Sequence, residues 1–209
     1  GVGFAMAERF LAAKFNREGF PVVDHYTYVM CGDGDLQEGI AQEAISLAGH
    51  HKLNILVLLY DSNDVQLDGP TNASYTEDIK KKYEAMGWAY IRVENGNDTA
   101  AISKAIKRAH KNVDKPTLIE VKTVIGYGSP LAGLCDSHGA PLGDEKTAAL
   151  RKTLGWDYAP FEVPEEAYQT MEVVNKRGKR AYSKWKKLVK AYAEQYPEEA
   201  KQFDNAVKG

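Results

Sequence analysis

The sequence predicts an α/β fold, a doubly wound parallel sheet with helices on both faces, followed by a helical C-terminal extension. Three observations lead there. Short β-branched and aromatic runs alternate with stretches of helical periodicity from Phe4 to Gly126. The run "NILVLLY" (Asn54–Tyr60) is apolar on both alternating sets of positions, as a central strand covered on two faces must be. From Glu165 onward the chain is charged and helix-periodic, with no further strand-like run.

The elements follow in order. "GVGFAMAERFLAAKF" repeats Phe4, Ala7, Phe10, Leu11 and Phe15 at helical spacing. It opens without an initiator Met and already inside the pattern, so the chain is expected to be a piece of a longer polypeptide. "NREGF" breaks that helix at Gly19 and Pro21, and "YTYVMC" (Tyr26–Cys31) predicts a short buried strand. A helix is expected over "LQEGIAQEAISLAGHH", with Ile40, Ala44, Leu47 and Ala48 as its apolar stripe and Gly49 near its end. After the Asn54–Tyr60 strand, "SYTEDIKKKYEAMG" predicts a helix capped by Ser74 or Thr76 and stopped at Gly87. Strand "WAYIRV", helix "NDTAAISKAIKRAHKN" and strand "PTLIEVKTVIG" complete the alternation. Beyond Gly143, "DEKTAALRKTLGW" predicts a helix and "APFEVP" an extended link. The division expected is an α/β domain over residues 1–160 and a helical extension over 161–209.

Composition excludes several classes. With 27 Lys+Arg against 29 Asp+Glu, the net charge of -2 implies neither a nucleic acid nor a membrane partner. Eight basic residues and no acid lie between Lys176 and Lys190, beside Tyr182 and Trp185, but the acidic "AEQYPEEAKQFDNA" follows at once. A solvated or domain-linking helical hairpin is the expectation there. The two cysteines, Cys31 and Cys135, form no CxxC pair, which points to a reduced, cytoplasmic protein. No run approaches the roughly 18–20 apolar residues of a membrane helix.

In a doubly wound sheet, ligands sit beyond the carboxyl ends of the strands. The turn "CGDGDLQEG", the loop after Tyr60 and the loop after Val124 all leave at that edge. Gly32 and Gly34 let main-chain amides approach an anion closely, and the following helix adds unpaired amides. Asp33 would repel a phosphate unless a cation lay between them. Mg²⁺ takes about six hard oxygens, usually one or two carboxylates with phosphate oxygens and water. Asn63, thirty residues on in "YDSNDVQLDG", supplies a suitable amide oxygen from the neighbouring strand end. Singly, each loop reads as well as a Gly-rich or Asx turn; together they favour a metal–phosphate site. A nicotinamide-binding turn fits less well, because GxGxxG would need glycine at 37 and the chain has it at 39.

"GDGDLQEGIAQEAISLAG", "LYDSNDVQLDGPTNASYTED", "VKTVIGYGSP" and "DSHGAPLG" resemble, in that order, the motifs of transketolases, with the likeness running from Gly1 to about Phe203. The resemblance implies the diphosphate-binding domain of a thiamine diphosphate enzyme. It implies Mg²⁺ (with Ca²⁺ or Mn²⁺ as substitutes) held by Asp33, Asn63 and the main-chain carbonyl of Val65. Gly32 and Gly34 would meet the diphosphate, Ile125 and Gly126 would line the cofactor, and His138 would be an active-site histidine close to diphosphate and substrate. Glu38 and Glu43 match a glutamate pair that links two active sites at a homodimer interface. The implied reaction moves a two-carbon ketol unit from a ketose phosphate to an aldose phosphate, as in the pentose phosphate pathway. Nothing here resembles the pyrimidine-binding domain, so the chain alone is expected to be inactive. Dihydroxyacetone synthase, of the same fold, and a non-catalytic module that binds a partner through its basic helices are the alternatives.

Overall fold

The computed structural model describes residues 1–208. Helix α1 (Val2–Phe15) leads to strand β1 (Thr27–Cys31), a 3-10 turn (Asp35–Gln37) and helix α2 (Gly39–His50). Strand β2 (Leu56–Ser62) precedes a small hairpin, β3 (Val65–Gln66) and β4 (Gly69–Pro70). Then come α3 (Ile79–Ala85), β5 (Ala89–Val93), α4 (Thr99–Ala109) and β6 (Thr117–Lys122). Three helices close the chain: α5 (Gly143–Leu154), α6 (Glu165–Gln195) and α7 (Pro197–Lys208).

The main sheet has the order β1-β2-β6-β5, and all three pairings are parallel. β2 and β6 are its central strands. Alternation along β2 sends Leu56, Leu58 and Tyr60 to one face, where they pack with Ile45 and Ala48 of α2 and Tyr83 of α3. Val57 goes to the other face, against Ala105 and Ala109 of α4 with Ile91, Val93, Ile119 and Val121. Helices on both faces of a parallel sheet are the architecture expected from the sequence.

Two local expectations are corrected. α3 is capped by the Asp78 carboxylate, which accepts from Lys81 N–H at 3.0 Å, and not by Ser74 or Thr76. Asp78 offers a charged acceptor one residue before the first helical position. The apolar stripe of α2 is rotated: Ile45, Ala48 and Gly49 are buried, while Ile40 and Leu47 are 73% and 43% exposed. Gly49 lies near the helix end as expected, one residue before the last. A Cβ there would stand 1.7 Å from the Met86 carbonyl oxygen, so the missing side chain lets α2 touch the turn after α3. Gly87, at φ +85°, does end α3 as expected.

The chain divides into two compact units, Gly1–Met6 with Tyr26–Trp156, and Ala7–His25 with Asp157–Gly209. Residues 7–25, assigned from the sequence to the α/β domain, thus fall with the C-terminal helices. In that second unit Phe15, Val22, Val23, Tyr192 and Phe203 form a buried cluster. Tyr192 O–H donates to the Phe15 carbonyl at 2.7 Å, and Arg17 pairs with Glu199 at 3.1 Å. Among the described residues no helix is long and apolar enough to cross a membrane.

Candidate functional site

The carboxyl ends of β1, β2 and β6 open into a cleft of about 860 Å³. Its lining includes Gly32, Asp33, Gly34 and Glu38 from the first loop, Asn63 and Val65 from the second, Ile125 and Gly126 from the third, and His138. The structure therefore brings together every residue expected in the cofactor and metal sets. Glu43 is not among them; it lies on the exposed side of α2, beside Gln42, Ser46, Leu47 and His50.

The first loop is not the uninterrupted helix start expected. Gly34 N-caps a 3-10 turn, and Glu38 is extended (φ −65°, ψ 133°) before α2 begins at Gly39. The main-chain N–H of Gly32 donates to the Asp35 carboxylate at 2.8 Å, pinning the turn. Around Gly34, nothing lies within 4 Å of where a Cβ would be, so the loop leaves open space there.

Asp33 is the one buried carboxylate of the cleft, 6% exposed. Its Oδ1 accepts the Tyr60 hydroxyl at 2.5 Å, and its Oδ2 accepts the main-chain N–H of Asn63 at 3.1 Å and of Asp64 at 3.2 Å. Two consecutive strand ends are thus tied through one side chain. Burial pushes the Asp33 carboxyl above its ordinary range, while the donors from Tyr60 and Asn63 oppose that shift. Burial likewise pushes the Tyr60 phenol up, keeping it a donor. Asn63 Oδ1 accepts Val65 N–H at 3.0 Å, which orients the amide and leaves the oxygen a second lone pair. Asp64 takes a left-handed backbone (φ 64°), and Lys122 donates to its carboxylate.

The third loop folds on itself. Gly133 N–H donates to the Ile125 carbonyl at 2.8 Å, and Ser129 N–H to the Gly126 carbonyl at 2.9 Å. Gly126 has φ +62°, and a Cβ on it would lie 2.9 Å from Ser137 Oγ. Glycine thus lets the turn after β6 press against the segment that carries His138, which is exposed at the cleft.

The cleft's charge decides what it can hold. Asp33, Asp35, Glu38 and Asp61 line it, and among the described lining residues there is no Lys or Arg. An anionic ligand entering such a cleft needs a cation to neutralise the carboxylates. Asp33, Asn63 and the Val65 carbonyl offer hard oxygens, the donor type Mg²⁺ takes, on two loops already joined. Among the described residues, no three His, Cys, Asp or Glu side chains gather at one point, so the donor set differs from that of a soft-metal centre. The residues present fit a hard divalent ion with a phosphate ligand.

Reasoning from sequence missed Tyr60, Gln37, Gln66, Leu67 and Thr123, all at or directly behind the cleft. For Tyr60 a signal existed: period-2 alternation sets it on the row of Leu56 and Leu58, where it is the first polar side chain toward the carboxyl end.

The family model described as "Transketolase, thiamine diphosphate binding domain" matches residues 1–209. A probable transketolase of Streptococcus pneumoniae is 56% identical over 209 residues, covering 99% of this chain and 32% of its own length. The structure of a Leishmania mexicana transketolase superposes with a TM-score of 0.94 at 41% identity, covering 97% of this chain and 30% of that one. A Pichia stipitis transketolase in complex with sedoheptulose-7-phosphate gives 0.93 at 37% identity, covering 97% and 30%. The chain spans about a third of the length of the relatives it matches.

Proposed function

The chain belongs to the transketolase family, through its thiamine diphosphate binding domain, and from that premise we propose that the cleft holds the diphosphate end of thiamine diphosphate through Mg²⁺. Asp33, Asn63 and the Val65 carbonyl take the metal. Gly32 and Gly34 present main-chain amides to the diphosphate, while Ile125 and Gly126 line the cofactor. The whole enzyme transfers a two-carbon ketol unit from a ketose phosphate to an aldose phosphate. When bound, thiamine diphosphate supplies the electron sink for that carbon–carbon chemistry.

The chain's own residues position and move protons. Asp33, clamped by two main-chain amides and a phenol, presents a fixed charge at the base of the cleft. His138, exposed at its edge, binds substrate and exchanges a proton, work that an imidazole does near neutral pH. Glu38 and Glu43 belong to a homodimer interface, where a pyrimidine-binding domain completes the site. The setting is the cytoplasm, and the isolated chain does not turn over. Sugar phosphates are the substrates by analogy with the P. stipitis relative.

One observation carries the reading: a buried carboxylate joins two strand-end loops inside a cleft whose described lining has four acidic side chains and no Lys or Arg. Titration calorimetry tests it. Thiamine diphosphate should bind only with a divalent ion present, and Asp33→Ala or Asn63→Ala should abolish the heat. Equal binding in EDTA would refute the metal bridge.

A further inference from the structure

Behind Asp33, a row of side chains crosses the sheet that the reading above leaves unused. The ladder sets Cys31 opposite Tyr60, Tyr60 opposite Glu120 and Glu120 opposite Arg92, so these four leave the same face. Tyr60 is 4% exposed and Glu120 6% exposed. Glu120 accepts from Ser62 Oγ at 3.0 Å, Tyr90 O–H at 2.5 Å and Arg92 at 2.9 Å. The Tyr60 hydroxyl instead reaches forward to Asp33.

A carboxylate has about four acceptor sites, two on each oxygen. On Asp33, both Oδ2 sites are filled by the N–H groups of Asn63 and Asp64, and one Oδ1 site by the Tyr60 hydroxyl. A single site remains, on Oδ1. Resting on the metal role proposed for Asp33, we infer that Tyr60 is a positioning residue for the divalent ion: its hydroxyl fills one side of Oδ1 and leaves the other as the sole direction of coordination. A carboxylate held this way gives one oxygen to the metal. That suits Mg²⁺, which takes six ligands at 2.0–2.1 Å, better than Ca²⁺, which takes six to eight ligands at longer distance and accepts both oxygens of a carboxylate.

The experiment uses the longest natural polypeptide that carries these residues, with Mg²⁺ or Ca²⁺ titrated into the apo protein at saturating thiamine diphosphate. Tyr60→Phe removes the donor and keeps the ring. It should weaken Mg²⁺ binding by about 10–100-fold, the usual effect of removing an outer hydrogen bond to a ligand. Ca²⁺ should weaken less, so the Mg²⁺/Ca²⁺ affinity ratio falls, while thermal stability in EDTA drops no further than it does in Tyr90→Phe, which also loses a single phenol hydrogen bond. Tyr90→Phe loses a hydroxyl that reaches Glu120 of that row without touching Asp33, and should leave both affinities within twofold. The inference is overturned if Tyr60→Phe binds Mg²⁺ within twofold of wild type. It is equally overturned if both ions weaken together and stability in EDTA drops further than in Tyr90→Phe, the mark of a merely structural phenol. A wild-type protein that binds the cofactor equally in EDTA, or an Asp33→Ala variant that titrates like wild type, overturns the metal reading itself and this inference with it.

Discussion

The two faces of the sheet are built from the same four strands and differ in one respect. On the α4 side, Val57, Ile91, Val93, Ile119 and Val121 form a dry layer. On the α2 and α3 side the layer begins apolar, with Leu56, Leu58 and Leu118, and turns polar toward the carboxyl ends, where Tyr60, Ser62 and Glu120 lie buried. A buried polar group costs free energy unless partnered, and each of these has a partner. Apart from Thr117, at the amino end of the α4 face, polarity enters this core on the face and at the end that back the cleft. One face serves stability, and the other divides its work between stability and holding Asp33.

Substitutions on the two faces can break or sharpen that contrast. Ile119→Ala, on the dry face and fully buried, should cost toward the upper end of the ~2–5 kcal/mol typical of such truncations. Cofactor affinity of the folded fraction should stay within twofold. A large loss of affinity there would remove the division of labour. Gly49→Ala drives a Cβ into the Met86 carbonyl on the opposite face, and should cost about 3 kcal/mol in urea unfolding, since backbone must move. Glu120→Ala strips three donors of their acceptor. About 2–3 kcal/mol is expected, below a fully buried pair because Arg92 keeps solvent access; chemical denaturation measures it. Tyr90→Phe removes only one of those three donors and should cost about 1 kcal/mol by the same measurement.

Much of this was legible in the sequence. β2 announced itself as central because both its alternating sets are apolar. The three loops at one edge followed from the strand–helix order, and the cleft gathers Asp33, Asn63, Gly126 and His138 as that topology requires. What escaped depended on contacts across sequence-distant elements. Ile40 and Leu47 read as core because periodicity marks a stripe without saying which side meets the sheet; Gly49, pressed on Met86, decides it. Ser74 and Thr76 have the chemistry of a cap, but the hairpin and the turn after it carry the chain on to Asp78 before a helix can start. Glu120, inside the run "TLIEVK", gave no hint that three donors from β2 and β5 would meet it.

Asp64 shows how narrowly the loop after β2 is specified. Its left-handed backbone is open to Gly, Asn and Asp and strained for β-branched side chains. Its amide supplies one of the two N–H groups that hold Asp33. A library randomised at this codon and selected for metal-dependent cofactor binding should therefore return those three residues and discard valine and isoleucine, although the side chain itself is exposed. Tolerance here is set by a torsion angle, and an accessible position behaves under selection like a buried one.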